Sequence, residues 1–348
     1  RSGGEADRRL RTGPAMAMTR RKFLRVLAAG AAAAPLARAS MDTLGAVLPI
    51  RTLGRRGPEV TCLGLGGFHI GWTTEALAQA TIETALEEGI RFFDTAESYG
   101  PHTSEERYGR YLVPAARDQI FLMTKSTAKT VSEAREHLEG SLRRMKTDVI
   151  DLWQLHALES PQDADARLDA GILDYALKAR AEGKIRRIGF TGHANPYALS
   201  RMLERTGGDT EPFAACQFPI NPVDAVSAHS FIRTVFPSAQ DRGLGVLAMK
   251  TLADGRFFAE KTMNGKAVWS SKTPLIPGQI SLEDCLSFAL SLPVSVLITG
   301  AEKPEFVRDK AAIVRSFHQL SPDERLALST RVADRMELEF YKDKNLRG

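Results

Sequence analysis

Four polar residues have the types and spacing for proton-transfer chemistry. Asp94 closes the run Arg91-Phe92-Phe93-Asp94. Lys125 closes Phe121-Leu122-Met123-Thr124-Lys125, and His156 closes Leu152-Trp153-Gln154-Leu155-His156. Tyr99 lies just beyond the first run, in Glu97-Ser98-Tyr99-Gly100. An unperturbed phenol titrates near ~10, and an ammonium beside it favours the phenolate. A tyrosine next to a lysine is therefore a sensible proton donor to an oxyanion. An aspartate would keep the lysine charged and in place, and a neutral histidine would orient a carbonyl oxygen. Each residue alone has a plainer reading: a helix cap for Asp94, a solvated Lys125, a satisfied interior His156, loop packing for Tyr99. The set outweighs its members only if one fold brings all four to one face.

The apolar patterning supplies such a fold. Strands are expected at Cys62–Gly66, Arg91–Thr95, Ile120–Thr124, Val149–Leu155, Arg186–Thr191, Ala214–Phe218, Val246–Met249 and Ser295–Thr299. Amphipathic stretches at Glu75–Glu88, Val131–Met145, Leu168–Glu182 and Ala225–Asp241 separate them. Thr130-x-x-Glu133 and Ser321-Pro322-x-Glu324 read as capping boxes, and Gly89, Gly183 and Gly243 as helix stops. Eight β/α units point to an α/β fold, a parallel (β/α)8 TIM barrel, with a doubly wound sheet as the runner-up. In such a barrel the chemistry sits at the C-terminal ends of the strands, where the four residues fall. Arg51–Val60, with Gly54, Gly57 and Pro58, reads as a hairpin plugging the barrel bottom. Thr251–Ile280 is a long insertion after the seventh strand.

Composition and charge limit the classes. In 348 residues, 43% hydrophobic and 26% charged is ordinary globular usage, which argues against a disordered, collagenous or polytopic membrane chain. Cys62, Cys216 and Cys285 lie far apart, so no disulfide framework or Cys-rich metal module is expected. The net charge of +5 belongs to residues 1–39, which hold nine of the 47 Lys and Arg and two of the 42 acids. The remainder has 38 basic against 40 acidic side chains and offers no case for nucleic acid. Those first residues carry Thr19-Arg20-Arg21-Lys22-Phe23-Leu24-Arg25, a twin-arginine export signal. An alanine-rich stretch from Val26 to Leu36 and the small-x-small triplet Ala37-Arg38-Ala39 follow. The expected organisation is upstream residues and signal peptide over 1–39, the barrel over 50–317 and a C-terminal helical extension over 318–348. Retention of the leader as an anchor is the alternative to cleavage.

On these residues the chain resembles the aldo-keto reductases, from about Arg51 to Phe317. Arg51-Thr52-Leu53-Gly54 and Leu63-Gly64-Leu65-Gly66-Gly67 match the family's opening hairpin and first strand. Its most specific signature is matched by Phe93-Asp94-Thr95-Ala96-Glu97-Ser98-Tyr99-Gly100 with Ser104-Glu105-Glu106. The resemblance implies NAD(P)(H)-dependent hydride transfer between nicotinamide and a carbonyl or alcohol substrate. Tyr99 would be acid/base, Lys125 and Asp94 its tuners, and His156 the substrate orienter. Gly64-x-Gly66 is not a dinucleotide fingerprint, because His69 takes the third glycine position. The nicotinamide would lie across the barrel mouth, with Gln217 on its carboxamide. Thr191 stands where the family's serine–asparagine pair is usual, and Met249 where it stacks an aromatic. Lys250, Thr251 and Leu252 would approach the pyrophosphate, and Gly300, Ala301 and Lys303 the adenosine phosphate. Lys310 replaces the family's usual adenine-binding asparagine. Lys303 speaks for NADP, Glu302 for NAD, and NADP is the expected cofactor. Phe68, Trp72, His193, Phe218 and Trp269 are expected to wall the substrate, with Trp153 facing the helices and His102 facing solvent. No metal is expected.

The expected product is an exported, monomeric oxidoreductase whose partners are a small carbonyl or alcohol substrate and, during export, the twin-arginine translocase. Outside the cytoplasm there is no ordinary nicotinamide pool, so the cofactor would have to travel bound. A non-catalytic nucleotide-binding regulatory module and a Schiff-base lyase using Lys125 are the rival readings on the same barrel.

Overall fold

Period-two alternation of apolar side chains builds a barrel from short strands. In the computed structural model, residues 40–208, 210–263, 266–270 and 274–333 are described, without side chains over 261–269. The leader at 1–39, the chain beyond 333 and the side chain of Trp269 lie outside the described residues. The chain opens with two hairpins, β1 (Ser40–Asp42) with β2 (Gly45–Val47), then β3 (Ile50–Thr52) with β4 (Glu59–Thr61). There follow β5 (Leu63–Gly66), β6 (Phe92–Asp94), β7 (Phe121–Ser126), β8 (Leu152–Leu155), β9 (Ile188–Thr191), β10 (Ala215–Pro219) and β11 (Gly245–Met249). A third hairpin, β12 (Glu260–Met263) with β13 (Lys266–Ser270), precedes β14 (Val296–Gly300). Strands β5 to β11 and β14 close into one barrel, all neighbours parallel, with β14 between β11 and β5.

These are the eight strands expected from the sequence. Their ends move most at β8, where Ile150 makes only an isolated bridge to Ile185 and regular pairing starts at Leu152. The doubly wound alternative is set aside, because the sheet closes.

Two apolar shells hold the barrel. The inner one joins Phe92, Phe121, Met123, Leu152, Ala215, Leu247, Val296 and Ile298 to Leu53 and Val60. Leu53 follows β3 and Val60 lies in β4, so that hairpin plugs the bottom. Phe92 and Phe121 stack at 4.8 Å, and a Cβ on Gly64 would lie 2.8 Å from the Phe92 ring, so that strand position must stay bare. The outer shell packs Leu63, Leu65, Phe93, Leu122, Trp153, Leu155, Phe190 and Leu297 against the helices. Cys62, Cys216 and Cys285 are buried in it as free thiols.

Helices Glu75–Glu87 and Val131–Met145 form over the expected stretches, and both expected capping boxes are made. Two other stretches depart from expectation. Leu168–Glu182 is not one helix. Pro161–Asp169 and Ile172–Ala181 are separated at Gly171, whose φ of 81° ends helical progress. Ala225–Asp241 is instead three short helices, Pro222–Val226, Phe231–Thr234 and Phe236–Asp241. The cause is Asp224. Its buried carboxylate accepts from Ser230 Oγ and from the main-chain N–H of Phe231 and Ile232, which draws the chain out of register. Among the described residues no helix is long and apolar enough to cross a membrane.

The bottom is fastened by buried arginines. Arg51 Nη2 donates to Leu290 O at 2.7 Å and Nη1 to Val294 O at 2.8 Å, where the helix Leu282–Leu290 ends. A cation there also meets the negative end of the helix dipole. Arg51→Met should destabilise the protein by about 3 kcal/mol, the size expected when buried acceptors lose a charged donor. The loss should appear as a lower urea midpoint with unchanged slope.

Candidate active site

The strand pleat aims the four candidate residues. Phe92 enters the inner shell and Phe93 the outer, so Asp94 turns inward. On β7, Phe121 and Met123 are inner and Leu122 outer, which brings Lys125 inward two steps on. On β8, Leu152 is inner, Trp153 and Leu155 outer, and Gln154 and His156 share the inner face. Asp94 pairs across the sheet with Met123, and Lys125 with Gln154, so the polar ends sit at neighbouring levels of the mouth.

Tyr99 comes from the loop after β6, and the residues around it explain that loop. Glu97 is buried. Its Oε1 accepts from Thr127 N at 2.9 Å and Thr127 Oγ1 at 2.6 Å, and its Oε2 accepts from Ser98 N at 2.7 Å. Ser104 Oγ donates to Gly67 O and accepts from Thr95 Oγ1. Glu105, fully buried, accepts from Thr124 Oγ1 at 2.6 Å and Arg144 Nε at 2.7 Å. The signature Asp94 to Glu105 is thus a strap sewn to β7 and to the first turn after β5. Gly100, at φ 61°, passes so close to Gly71 O that no Cβ fits.

Lys125 Nζ donates to Thr95 O at 2.7 Å and Tyr99 OH at 3.2 Å, and it forms an ion pair with Asp94 Oδ1 at 2.5 Å. Burial works to lower the Lys125 pKa, but the Asp94 carboxylate and the Tyr99 oxygen outweigh it, and the ammonium is held above its usual range. The Tyr99 phenol moves the opposite way from the sequence expectation. Burial pushes it above 10.0, and Lys125 offsets this only in part. It is a protonated acid at neutral pH. Because its oxygen accepts from Lys125, its own proton is directed elsewhere.

The Tyr99 ring is held edge-on by Phe68, centroids 5.4 Å apart, and by His156, 5.7 Å apart. Burial drives His156 well below its ordinary pKa, and the charges of Lys125, His193, Arg167 and Lys250 add to this, so the imidazole is neutral. Behind the four lies an amide relay. Gln154 Nε2 donates to Gln217 Oε1 at 2.7 Å, and Gln217 favours the charged form of Asp94. Gln154 was not foreseen. Its place two residues before His156, on the same strand face, was the available signal.

The expected cofactor contacts occupy β9, β10, β11 and β14, a continuous arc facing the strands that carry the four. Thr191 pairs with Gln217, and Pro219 with Met249. Met249 is half-buried at the end of β11. Lys250 follows at φ 53°, with Nζ on Asp254 at 3.0 Å and its carbonyl accepting from Asn221 Nδ2. Thr251 is buried, and the side chains of Leu252 and Ala301 pack into the outer shell, which leaves only their main chain for a ligand. At Gly300 the His69 ring fills the space of a Cβ, and His69 Nδ1 lies 3.1 Å from Glu302 Oε1. Lys303 is exposed, its ammonium 4.8 Å from the Phe306 ring centroid. Lys310 is buried with Nζ on Gly300 O at 2.5 Å, and burial pushes its pKa down to about 8.

Among the substrate candidates, Phe68 lies against Tyr99 and Trp72 against Phe68, their rings 6.3 Å apart, and the charge of His193 acts on His156. Phe218 is a correction. The pleat that turns Gln217 inward turns Phe218 outward, where it is fully buried against Phe231 and Phe236 and lines no mouth. Trp153 faces the helices, and His102 is exposed. Among the described residues no His, Cys, Asp and Glu cluster is arranged to hold a metal ion.

A family model described as "Aldo/keto reductase family" matches residues 62–327. An uncharacterised oxidoreductase, YrpG, of Bacillus subtilis (strain 168) is 30% identical over 258 residues, 63% of this chain and 69% of that protein. A 6-dehydroglucose reductase of Novosphingobium aromaticivorans is 29% identical over 240 residues, 63% of this chain and 73% of its own. Among solved structures, the holo form of aldo-keto reductase AKR11C1 from Bacillus halodurans superposes with a TM-score of 0.67. It is 23% identical and covers 82% of this chain and 96% of that one. The chain belongs to the aldo/keto reductase family. It is an oxidoreductase of the nicotinamide-dependent kind.

Lys125→Met should cost about 3–5 kcal/mol, because it strands the Asp94 carboxylate away from water. In that variant burial still raises the folded pKa of Asp94, and the Lys125 charge that offset it is gone. The deficit should therefore grow as pH rises above the unfolded carboxyl value near ~4 and shrink in acid. Urea titrations of wild type and variant at several pH values measure it.

Proposed function

We propose that the protein reduces a carbonyl substrate with NADPH, with Tyr99 donating the proton. The observation that carries this is the arrangement at Lys125. Its ammonium donates to Thr95 O and Tyr99 OH beside the Asp94 carboxylate, so the phenol's own proton points away from its support. As negative charge grows on the substrate oxygen, Tyr99 gives up that proton. The adjacent ammonium stabilises the phenolate left behind, and Asp94 holds the ammonium. His156, neutral, donates one N–H to the same oxygen and fixes its position. Phe68 and Trp72 exclude water on one side.

The nicotinamide, when bound, supplies the hydride in reduction and accepts it in oxidation. The residues fit such a group. Gln217 has spent one lone pair on Gln154, which leaves the other, with an N–H, for a carboxamide. Thr191, Gln217 and Met249 would hold the ring, the main chain from Lys250 to Leu252 the pyrophosphate, and Gly300, Ala301 and Lys303 the adenosine end. Glu302 is drawn toward His69 while Lys303 stays exposed, which favours a 2′-phosphate and hence NADP over NAD. The 6-dehydroglucose reductase among the relatives makes sugar aldehydes the first carbonyls to try.

The leader extends the proposal. We read residues 1–39 as directing twin-arginine export of the folded, monomeric protein with its cofactor aboard. Mass and absorbance spectra of the denatured exported fraction should reveal stoichiometric NADP(H). An empty mature protein outside the cytoplasm would count against this and favour a regulatory module.

Tyr99→Phe should lower kcat for reduction by about 10²–10⁴ while leaving the cofactor Kd unchanged, as loss of a general acid requires. With burial holding the phenol above its ordinary value, reduction should be flat through neutral pH and fall only in alkali beyond ~10. Steady-state rates against pH check both, and an unaffected Tyr99→Phe variant would dismiss the reading.

A further inference from the structure

His156 faces Tyr99 without a side chain to hold it there. Its Nδ1 is buried and has no hydrogen-bond partner among the described residues. A ring with one nitrogen unheld takes its direction from the main chain and from packing. The main chain at this point is unusual. Ala157, the next residue, has φ 54°, a left-handed conformation that a side chain disfavours. The bonds on either side run to different strands: His156 N donates to Ser126 O at 2.8 Å, and Leu158 N to Thr191 O at 2.9 Å. Ala157 is the step between them.

What keeps that step is a buried guanidinium. Arg167, on the helix Pro161–Asp169, is 2% exposed. Its Nη1 donates to His156 O at 2.7 Å and its Nη2 to Ala157 O at 3.4 Å. Its Nε and Nη2 also donate to the two carboxylate oxygens of Asp163 at 3.1 and 3.0 Å, and Lys129 reaches the same carboxylate. A planar fork suits this task, because it meets a carboxylate on one edge and two successive carbonyls on the other. Burying an ion pair is costly, and a neutral amide could cap one carbonyl at less expense.

We propose that Arg167 is a positioning residue for the reaction at Tyr99, acting through the His156 and Ala157 carbonyls to set the face that the imidazole presents to the phenol. The proposal uses the reductase reading for its kinetic arm only. The charged groups bearing on the ring are Lys125 from β7, His193 after β9, Lys250 after β11 and Arg167 from behind. All are basic and act in the same direction as burial. Removal of Arg167 leaves the other three and the burial, so the ring stays neutral and what changes is its direction.

The test compares wild type with Arg167→Met, Arg167→Lys and Arg167→Met/Ala157→Gly. Misplacing a reacting group by about an ångström loses on the order of a hundredfold in rate. The Met variant should lose about ten- to a hundredfold in kcat for carbonyl reduction, with NADPH Kd by fluorescence within twofold of wild type. Lysine, which keeps the charge and one donor, should recover part. Glycine at 157 accepts the turn unaided and should restore kcat further. The second readout needs neither cofactor nor substrate. The His156 ring signals, assigned by loss in His156→Asn, should move in the Met variant and return in the double variant. Unmoved ring signals, or a Met variant that is merely less stable with wild-type kcat per folded molecule, would overturn the proposal. If wild type shows no Tyr99-dependent reduction, the function reading falls, while the ring signals still decide on Arg167. If the Met variant does not fold, the same two readouts on Arg167→Lys decide.

Discussion

The site depends on a single ammonium taken out of water. Lys125 is 1% exposed, and an ion in that position persists only if its neighbours replace the hydration it lost. The Thr95 carbonyl and Tyr99 do so by hydrogen bonds and Asp94 by its charge. Much else can be understood as support for that arrangement. The loop after β6 must bend so that both its main chain and Tyr99 reach the same nitrogen. Glu97 and Glu105, both buried, secure that bend to β7 and to the helix Val131–Met145. Gln217, itself bound by the Gln154 amide, favours the charged form of Asp94.

The inner shell below is apolar and the mouth above is polar, and the change occurs within two residues along each strand. On β7 it falls between Met123 and Lys125, and on β8 between Leu152 and Gln154. A small barrel has room for few interior layers. Here the upper layer is given over to ionisable groups, and the bottom is closed instead by Leu53 and Val60 from a hairpin. The cost of burying charge at the top is borne by a well-packed plug and by arginines such as Arg51 at the base.

Much of this was legible in the sequence because it rests on alternation. Strand period, the polar ends of apolar runs and the capping boxes are local signals, and the barrel and the four residues follow from them. The failures share a cause. Phe218 was read as a wall from its residue type, although the alternation that turned Trp153 outward also turns Phe218 outward. The helix expected over Ala225–Asp241 breaks because the Asp224 carboxylate competes for main-chain donors, which apolar periodicity does not register. The rise in the Tyr99 pKa reflects burial, a tertiary quantity, whereas adjacency to lysine alone pointed the other way. Gln154 and Arg167 went unseen because each acts on a partner distant in sequence or through a carbonyl.

The first hairpin has a consequence for how the molecule can be attached to anything else. Asp42 takes Arg91 in a two-pronged ion pair, Nε to Oδ2 at 2.6 Å and Nη2 to Oδ1 at 2.9 Å, and Arg91 stands at the entry to β6. Ser40 therefore leaves the folded body at the closed end of the barrel, on the side opposite the mouth. A support, a fusion partner or a surface joined through that end would present the open mouth outward, and docking of a bulky substrate would proceed as it does for the unattached protein.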